Sequence, residues 1–102
     1  MNMRISAQLS DDAILTELGQ RLAQHRISLE LTQKAVAEQA GIGTATLERM
    51  ESGRSSSVTS LLRVLRVLGL MDGMERLVPP PTPSPMALLQ AQGSPRKRAS
   101  PK

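Results

Sequence analysis

The sequence contains no aromatic side chain: Phe, Trp and Tyr are all absent from its 102 residues. A hydrophobic core must therefore consist of aliphatic and methionine side chains, which pack most simply where helices lie against helices. Cysteine is absent too, which excludes disulfide bonds, thiolate nucleophiles and cysteine-ligated zinc. A chain of this length holds one small domain. Together these facts predict an all-α fold.

The prolines divide the chain into a domain and a tail. All seven lie between Pro79 and Pro101, and proline is disfavoured inside helices because it lacks a backbone N–H. We therefore expect an N-terminal extension over residues 1–10, a helical domain over residues 11–78, and a Pro-rich, basic, mostly disordered tail over residues 79–102. Residues 79–83 should form a stiff, extended spacer.

The net charge of +4 belongs entirely to that tail. Residues 1–78 contain nine Lys or Arg and nine Asp or Glu, so they sum to zero. The tail has no acidic residue and four basic ones: Arg96, Lys97, Arg98 and Lys102. A high isoelectric point usually suggests a nucleic-acid partner, but here it bears only on the tail. The tail is either an arm that contacts phosphate or a solvated basic terminus.

Capping residues and apolar spacing predict four to five helices in the domain. The first follows Ser10 as N-cap and ends near Arg26, with an apolar face of Ile14, Leu15, Leu18 and Leu22. The second follows Thr32 and ends at Gly41, the third covers residues 44–51, and the fourth runs from Ser57 to Gly69. A short fifth helix is expected over residues 72–76.

The fourth helix carries more apolar residues than one face requires. One stripe, expected to face the core, comprises Val58, Leu61, Leu62, Leu65 and Leu68. A second stripe comprises Val64, Val67 and Met71. The second stripe is covered either by the short fifth helix or by a second copy of the chain, and both are compatible with the pattern.

Residues 31–54 carry the motif that points to a function. Two short helices meet across a turn at residues 41–43, and the small Ala37 lets them approach closely. Apolar residues should hold the second helix against the domain: Ile42, Leu47 and Met50. The outward face is then Thr44, Ala45, Glu48 and Arg49. A short, rigid, exposed helix of this kind fits the major groove of DNA, which is about 12 Å wide.

This stretch closely resembles the Xre family of bacterial and phage regulators, which includes the lambdoid repressors and Cro. The resemblance covers residues 18–70, and it rests on the following segments: Leu31-Thr32-Gln33, Ala37-Glu38, Ala40-Gly41-Ile42, Leu47-Glu48-Arg49-Met50-Glu51 and Gly53-Arg54. It implies a lambda-repressor-like fold and a double-stranded DNA partner. Because several positions agree at fixed spacing, the motif is specific.

The resemblance assigns roles to individual positions. The implied DNA contacts are Gln33, Lys34, Gly43, Thr44, Ala45, Thr46, Glu48, Arg49 and Arg54. Arg26 and Glu51 occupy positions that pair in family members, which implies a structural ion pair. Gly43 departs from the family's Ser or Thr cap, and Lys34 with Ala35 replaces the usual acidic pair. Since the recognition face has few donors, specificity should lean partly on DNA shape.

The tail has its own helix signals. In residues 84–93 a serine cap, a proline in the first turn and a terminal glycine predict a short helix, with Met86, Leu88 and Leu89 as candidate partner contacts. A disordered tail is the alternative. The small domain with this tail resembles the HipB-type antitoxins, which implies a homodimer that represses its own operon at a palindrome and holds a HipA-like Ser/Thr kinase inactive.

We therefore expect a sequence-specific repressor that acts as an antitoxin. The alternatives are a stand-alone Xre-type regulator and a protein-interaction adaptor that no longer binds DNA. We expect neither enzyme activity nor a cofactor or metal, since His25 is the single histidine and no catalytic constellation is readable. RNA and single strands are disfavoured without aromatic stacking platforms. Lacking a membrane-spanning run or signal-type block, the protein should be cytoplasmic.

Overall fold

The computed structural model describes residues 2–92, and every regular element in that range is helical. The helices are α1 (Asp11–Ser28), α2 (Gln33–Ala40), α3 (Thr44–Glu51), α4 (Val58–Leu68), α5 (Asp72–Leu77) and α6 (Pro85–Gln92). The all-α fold expected from an aliphatic core is confirmed.

Local capping sets most helix borders. The Ser10 and Thr32 side chains accept hydrogen bonds from Ala13 N at 3.1 Å and Ala35 N at 3.0 Å, and Ser57 caps α4 in the same way. At the other ends, Gly41 and Gly69 adopt left-handed conformations with φ of 72° and 75°. Each of these caps satisfies backbone groups that the helix leaves unpaired. The sequence predicted all five residues in these roles.

The end of α1 differs from the prediction, because the helix continues past Arg26 to Ser28. The chain then turns through Glu30, whose φ of 59° is the one positive value at a non-glycine residue in residues 2–92. No glycine marks this turn, so the usual sequence signal for a helix end was missing. The backbone N–H of Glu30 donates to Ile27 O at 2.8 Å, which closes the turn.

The core lies where α1 packs on α3, and α2 packs on both α3 and α4. Its fully buried members are Leu22, Val36, Ala37, Ala40, Leu47, Met50, Val64 and Leu68. Close approach of α1 to α3 depends on Gly19, because a Cβ there would lie 2.5 Å from Met50 O. The position of α3 is therefore fixed by backbone contact with α1 as well as by its apolar side chains.

The apolar face of α4 differs from the expected one. Val64, assigned to the second stripe, has no exposed surface, whereas Val58, assigned to the core stripe, is 69% exposed. Leu61, Val64, Leu65 and Leu68 follow helical spacing and form the face that meets the core. Val58 is the first residue of α4 and extends beyond that contact. Two of the three residues of the second stripe are therefore not a spare surface, since Val64 belongs to the core and Val67 packs against it.

The N-terminal extension folds back onto α1, which the sequence did not predict. Asn2 Nδ2 donates to Glu17 Oε2 at 2.8 Å, and Arg21 Nη2 donates to Met3 O at 2.6 Å. Glu17 is only 2% exposed and also pairs with Arg21 Nε at 2.9 Å. The Asn2 hydrogen bond, aided by the Met3 backbone N–H and by Arg21, lowers the pKa of Glu17. Glu17 and Arg21 thus hold the first residues along α1.

Candidate nucleic-acid interface

Helix α3 presents one face to the core and the opposite face to solvent. Leu47 and Met50 are buried, while Thr44, Ala45, Glu48 and Arg49 are exposed. The exposed set is the one that the sequence predicted for base contacts. Its side chains lie at helical spacing over about one and a half turns, which is enough to contact several adjacent base pairs.

The turn between α2 and α3 is built from the backbone. Gly41 takes the left-handed conformation, and Ile42 N donates to Ala37 O at 3.0 Å. Ala37 is buried at this junction, and half-buried Ile42 packs against the core. Gly43 then starts α3 without a side-chain hydrogen bond, in extended backbone at φ −74°. Most of the turn is thus held by hydrogen bonds and burial, whereas the first turn of α3 lacks a side-chain cap.

The C-terminal end of α3 is anchored by a charged network. Arg26 donates from Nε to Glu51 Oε2 at 2.7 Å and from Nη2 to Glu51 Oε1 at 3.0 Å. Only 14% of the Arg26 side chain and 7% of the Glu51 side chain are exposed. The hydrogen bonds to Glu51 raise the pKa of Arg26. This pair joins α1 to the last residue of α3.

Two further hydrogen bonds extend the network to α2. Arg26 Nη1 donates to Leu31 O at 2.9 Å, and Gln33 Nε2 donates to Glu51 Oε1 at 2.9 Å. Because Gln33 is the first residue of α2, the start of α2 and the end of α3 are held at a fixed separation. Glu51 is the common acceptor, so the two helices of the motif and α1 meet at one carboxylate.

Positive charge surrounds the exposed face of α3. Lys34 lies in the first turn of α2, Arg49 on α3 and Arg54 just beyond it, and all three are exposed. None of the three forms an ion pair with a residue of the described part of the chain. Arg54 is positioned through its backbone N–H, which donates to Arg49 O at 2.9 Å. These cations are free to meet an external anion.

The remaining DNA-contact candidates lie beside this face. Gly43 is exposed and Thr46 is half-buried, both in or next to the first turn of α3. Each could approach a phosphate from the start of the helix, where backbone N–H groups point outward. All nine predicted contact residues therefore lie on α2, in the turn before α3, on α3 or in the loop after it.

The tail candidates lie on a separate element. Met86 and Leu89 are exposed on α6 at 63% and 62%, whereas the side chain of Leu88 and residues 93–102 lie outside the described part of the chain. Among the described residues, no cluster of His, Asp or Glu is placed to hold a metal ion. No described helix is long and apolar enough to cross a membrane.

Comparison with known proteins agrees with this geometry. The profile of a family described as "Helix-turn-helix domain" matches residues 17–77, which is more than half of the chain. The chain belongs to this helix-turn-helix family. No protein of curated function matches its sequence.

A solved structure shares the fold of this helix-turn-helix protein. It is the restriction-modification controller protein C.AhdI from Aeromonas hydrophila, which is 29% identical and superposes with a TM-score of 0.55. The match covers 57% of this chain and 89% of C.AhdI. With the family match and the exposed α3, it identifies the chain as an Xre-like, DNA-binding transcription regulator.

Proposed function

We propose that the protein is a sequence-specific repressor that binds duplex DNA as a homodimer and represses its own operon. The observation that carries the proposal is the exposed face of α3, whose other face is buried and whose C-terminal end is anchored at Glu51. A helix held in this way keeps its side chains at fixed positions relative to the bases. Rigid placement is what discrimination between base pairs requires.

Each residue of the exposed face has a defined role in this proposal. Thr44 and Ala45 offer methyl groups to the thymine methyl in the major groove. Arg49 donates to O6 and N7 of guanine, the commonest specific contact in protein–DNA complexes. Glu48 accepts from cytosine N4 or orients Arg49, since its carboxylate repels phosphate. These four residues supply the direct readout of sequence.

A second set of residues positions the protein on the backbone. Lys34 and Arg54 lie on either side of α3 in the chain and have no carboxylate partner in residues 2–92. Gln33 lies at the start of α2. Gly43 contributes backbone and Thr46 a hydroxyl group at the start of α3. Such contacts fix register and give affinity that depends on salt, but they do not discriminate between sequences.

The dimer is proposed to form through the end of the domain. Leu77 and Val78 are 65% and 80% exposed, and Met71 and Met74 beside them are half-buried. Adjacent apolar residues left in solvent are typical of a surface that a second copy covers. A palindrome with half-sites one helical turn apart requires a twofold dimer whose two α3 helices lie about 34 Å apart.

The test is binding of the full chain to duplex DNA from its own promoter, followed by fluorescence anisotropy. Arg49→Ala should weaken binding about fivefold or more and relax the preference at one base pair, because one bidentate contact is worth about 1–3 kcal/mol. Arg66→Ala is the matched control, since Arg66 is an exposed arginine on α4, which packs mainly on α2. The DNA affinity of this variant should not change. Unaltered binding by the Arg49 variant would refute the proposed readout.

The finer biological role has two candidates. An antitoxin that restrains a HipA-like kinase is supported by α6, where Met86 and Leu89 are exposed on a short helix beyond the domain. A controller of a restriction-modification operon is supported by the likeness to C.AhdI, nearly all of which this chain covers. Either role requires the same reading of an operator by α3.

One experiment separates the antitoxin from the adaptor, and both of these from a controller or stand-alone regulator. The full chain is co-expressed with the proteins encoded beside it, and the complex is purified. Capture of a kinase that is lost in Met86→Asp/Leu89→Asp would support the antitoxin role. Promoter repression with no captured partner would support the controller or stand-alone role, and capture without specific DNA binding would support the adaptor.

A further inference from the structure

An apolar cavity of about 200 Å³ opens between α1 and the start of α4. Its walls are Leu15, Leu18 and Leu22 of α1, Met50 of α3 and Leu61 of α4. Helix α1 packs mainly on α3, and α4 packs mainly on α2. With no aromatic side chain in the sequence, only aliphatic residues are available to fill the space between α1 and α4. The cavity follows from that composition.

The lining of the cavity also includes polar residues, which come from the loop that follows α3. They are Arg54 and the three serines that follow it. Arg54 is exposed and has no carboxylate partner in residues 2–92. A mostly apolar lining that includes one arginine without a carboxylate partner in residues 2–92 is complementary to a ligand with an apolar body and one negative charge.

We propose that this cavity binds a small carboxylic acid in its ionised form, with the hydrocarbon body among the leucines and the carboxylate on Arg54. A cavity of about 150 Å³ is already sufficient to bind benzene, so this one accommodates a hydrocarbon body of about six carbons. The ligand class is therefore a short aliphatic or monocyclic aromatic carboxylate.

Binding at this position couples the ligand to DNA. The inference rests here on the proposed function, in which Arg54 contacts a DNA phosphate. One guanidinium cannot serve the ligand carboxylate and the phosphate fully at the same time. The carboxylate therefore competes with DNA, and the ligand acts as an inducer that releases the repressor.

The first experiment measures ligand binding without DNA. The full chain, with ¹³C-labelled methyl groups, is titrated with sodium hexanoate and, separately, with hexanol. Hexanoate should cause saturable shifts at Leu15, Leu18 and Leu61, with a dissociation constant of about 1 mM for a ligand of this size. Hexanol should bind about tenfold more weakly. Absence of saturable shifts, or equal binding of the two probes, would overturn the proposal.

Two pairs of variants locate the site. Leu15→Phe should fill the cavity and abolish hexanoate binding, whereas Ile14→Phe, at the adjacent half-buried position on α1, should leave it intact. Arg54→Gln should weaken hexanoate about tenfold without affecting hexanol, and Arg66→Gln should change neither. If Leu15→Phe does not fold, comparison of Arg54→Gln with Arg66→Gln still tests the proposed site. Hexanoate binding that is unchanged in Arg54→Gln would refute the carboxylate site.

A further control addresses other occupants of the cavity. Dilution of the ligand-free protein should leave the Leu15 and Leu61 signals unchanged. If their shifts depend on protein concentration, a second copy covers the cavity, and the small-molecule proposal is overturned.

The second experiment measures DNA affinity with and without hexanoate, against sodium chloride of equal ionic strength. Saturating hexanoate should weaken operator binding by the wild type about as much as the Arg54→Gln substitution does. It should not weaken operator binding by the Arg54→Gln variant any further. If the protein does not bind DNA at all, the proposed function is refuted. The ligand titration tests the carboxylate site independently of that result. If hexanoate binds but leaves DNA affinity unchanged, the inducer role is refuted.

Discussion

Glu51 receives hydrogen bonds from α1 and α2 although it belongs to α3. Its carboxylate accepts two bonds from Arg26 and one from Gln33, with 7% of its side chain exposed. Removing one partner of a buried ion pair leaves the other charge unpaired, which costs more than the pair contributes. We expect Glu51→Ala to lower the free energy of unfolding by about 3 kcal/mol, as measured by urea denaturation.

The controls separate charge from packing. Gln33→Ala removes only the third hydrogen bond and should cost about 1 kcal/mol. Arg26→Met/Glu51→Leu replaces both charges with apolar side chains and should be more stable than Glu51→Ala alone. If the double variant were the less stable of the two, the unpaired Arg26 charge would not be the source of the loss.

The carboxylate of Glu17 should make the free energy of unfolding depend on pH. Its pKa is lowered in the folded protein by the hydrogen bond from Asn2 and by its other partners, so the folded state binds fewer protons than the unfolded state near about pH 4. Its contribution to stability is therefore present above the unfolded pKa and is lost as pH falls through the folded pKa. The stability difference between wild type and Glu17→Gln should be largest above about pH 6 and shrink toward about pH 3.

The measurement is urea denaturation of both proteins across that range. A Glu17→Gln difference that stays constant from neutral to acidic pH would contradict the role given to the carboxylate.

At the level of single residues, the sequence predicted some contacts and not others. The Arg26 and Glu51 positions were identified through the family resemblance, which supplies a pairing over 25 residues that no local pattern contains. Glu17 carried no such signal. A glutamate in the middle of a helix usually faces solvent, and its partner Asn2 lies in an extension without helical periodicity. Only the folded chain shows that the extension returns to α1.

At the scale of elements, the start of α3 is the weakest border in the motif. Gly43 has extended backbone at φ −74° and gives α3 no side-chain hydrogen bond. A Cβ placed there would meet nothing closer than Thr46 Oγ1 at 3.9 Å. Gly43→Ser therefore fits the backbone, caps the helix and reduces the freedom of the unfolded chain. We expect the free energy of unfolding to rise by about 0.5 kcal/mol.

The neighbouring glycine provides the matched control. Gly41 has a φ of 72°, a conformation that a residue with a Cβ adopts at a cost, so Gly41→Ser should destabilise the protein by about 1 kcal/mol. Both variants add the same side chain two positions apart, and urea denaturation compares them directly. Destabilisation by Gly43→Ser would show that α3 needs the freedom of glycine at its first turn.

Helix borders were predictable from sequence because caps are local. Ser10, Thr32 and Ser57 with Gly41 and Gly69 each act within one turn of the chain. The buried face of α4 was not predictable in the same way. Two apolar stripes lay side by side on that helix, and the choice between Val58 and Val64 depends on how α2 packs against it. That contact is a property of tertiary structure.

For the whole molecule, the fold class followed from what the sequence lacks, and the location of the interface followed from the family motif. A chain whose apolar residues are all aliphatic or methionine, with no proline before residue 79, has few ways to bury them other than a helical bundle. The cavity beside Arg54 depended on the packing of three helices and could not be read from spacing alone.

The distribution of charge over the whole chain makes a last prediction. The charges of residues 1–78 sum to zero, so long-range attraction to DNA must come from local cations and from Arg96, Lys97 and Arg98 in the tail. Each phosphate neutralised adds about 0.9 to the slope of log K against log salt. Replacing the three tail residues with Gln should therefore reduce that slope by up to about 2.7 per protomer. The preference for operator over random DNA should persist, because base readout is assigned to α3.

Arg66→Gln should leave both the salt slope and the operator preference unchanged. A slope unaffected by the tail substitutions would identify the tail as a solvated terminus, and the cations around α3 would then have to supply the electrostatic part of DNA affinity.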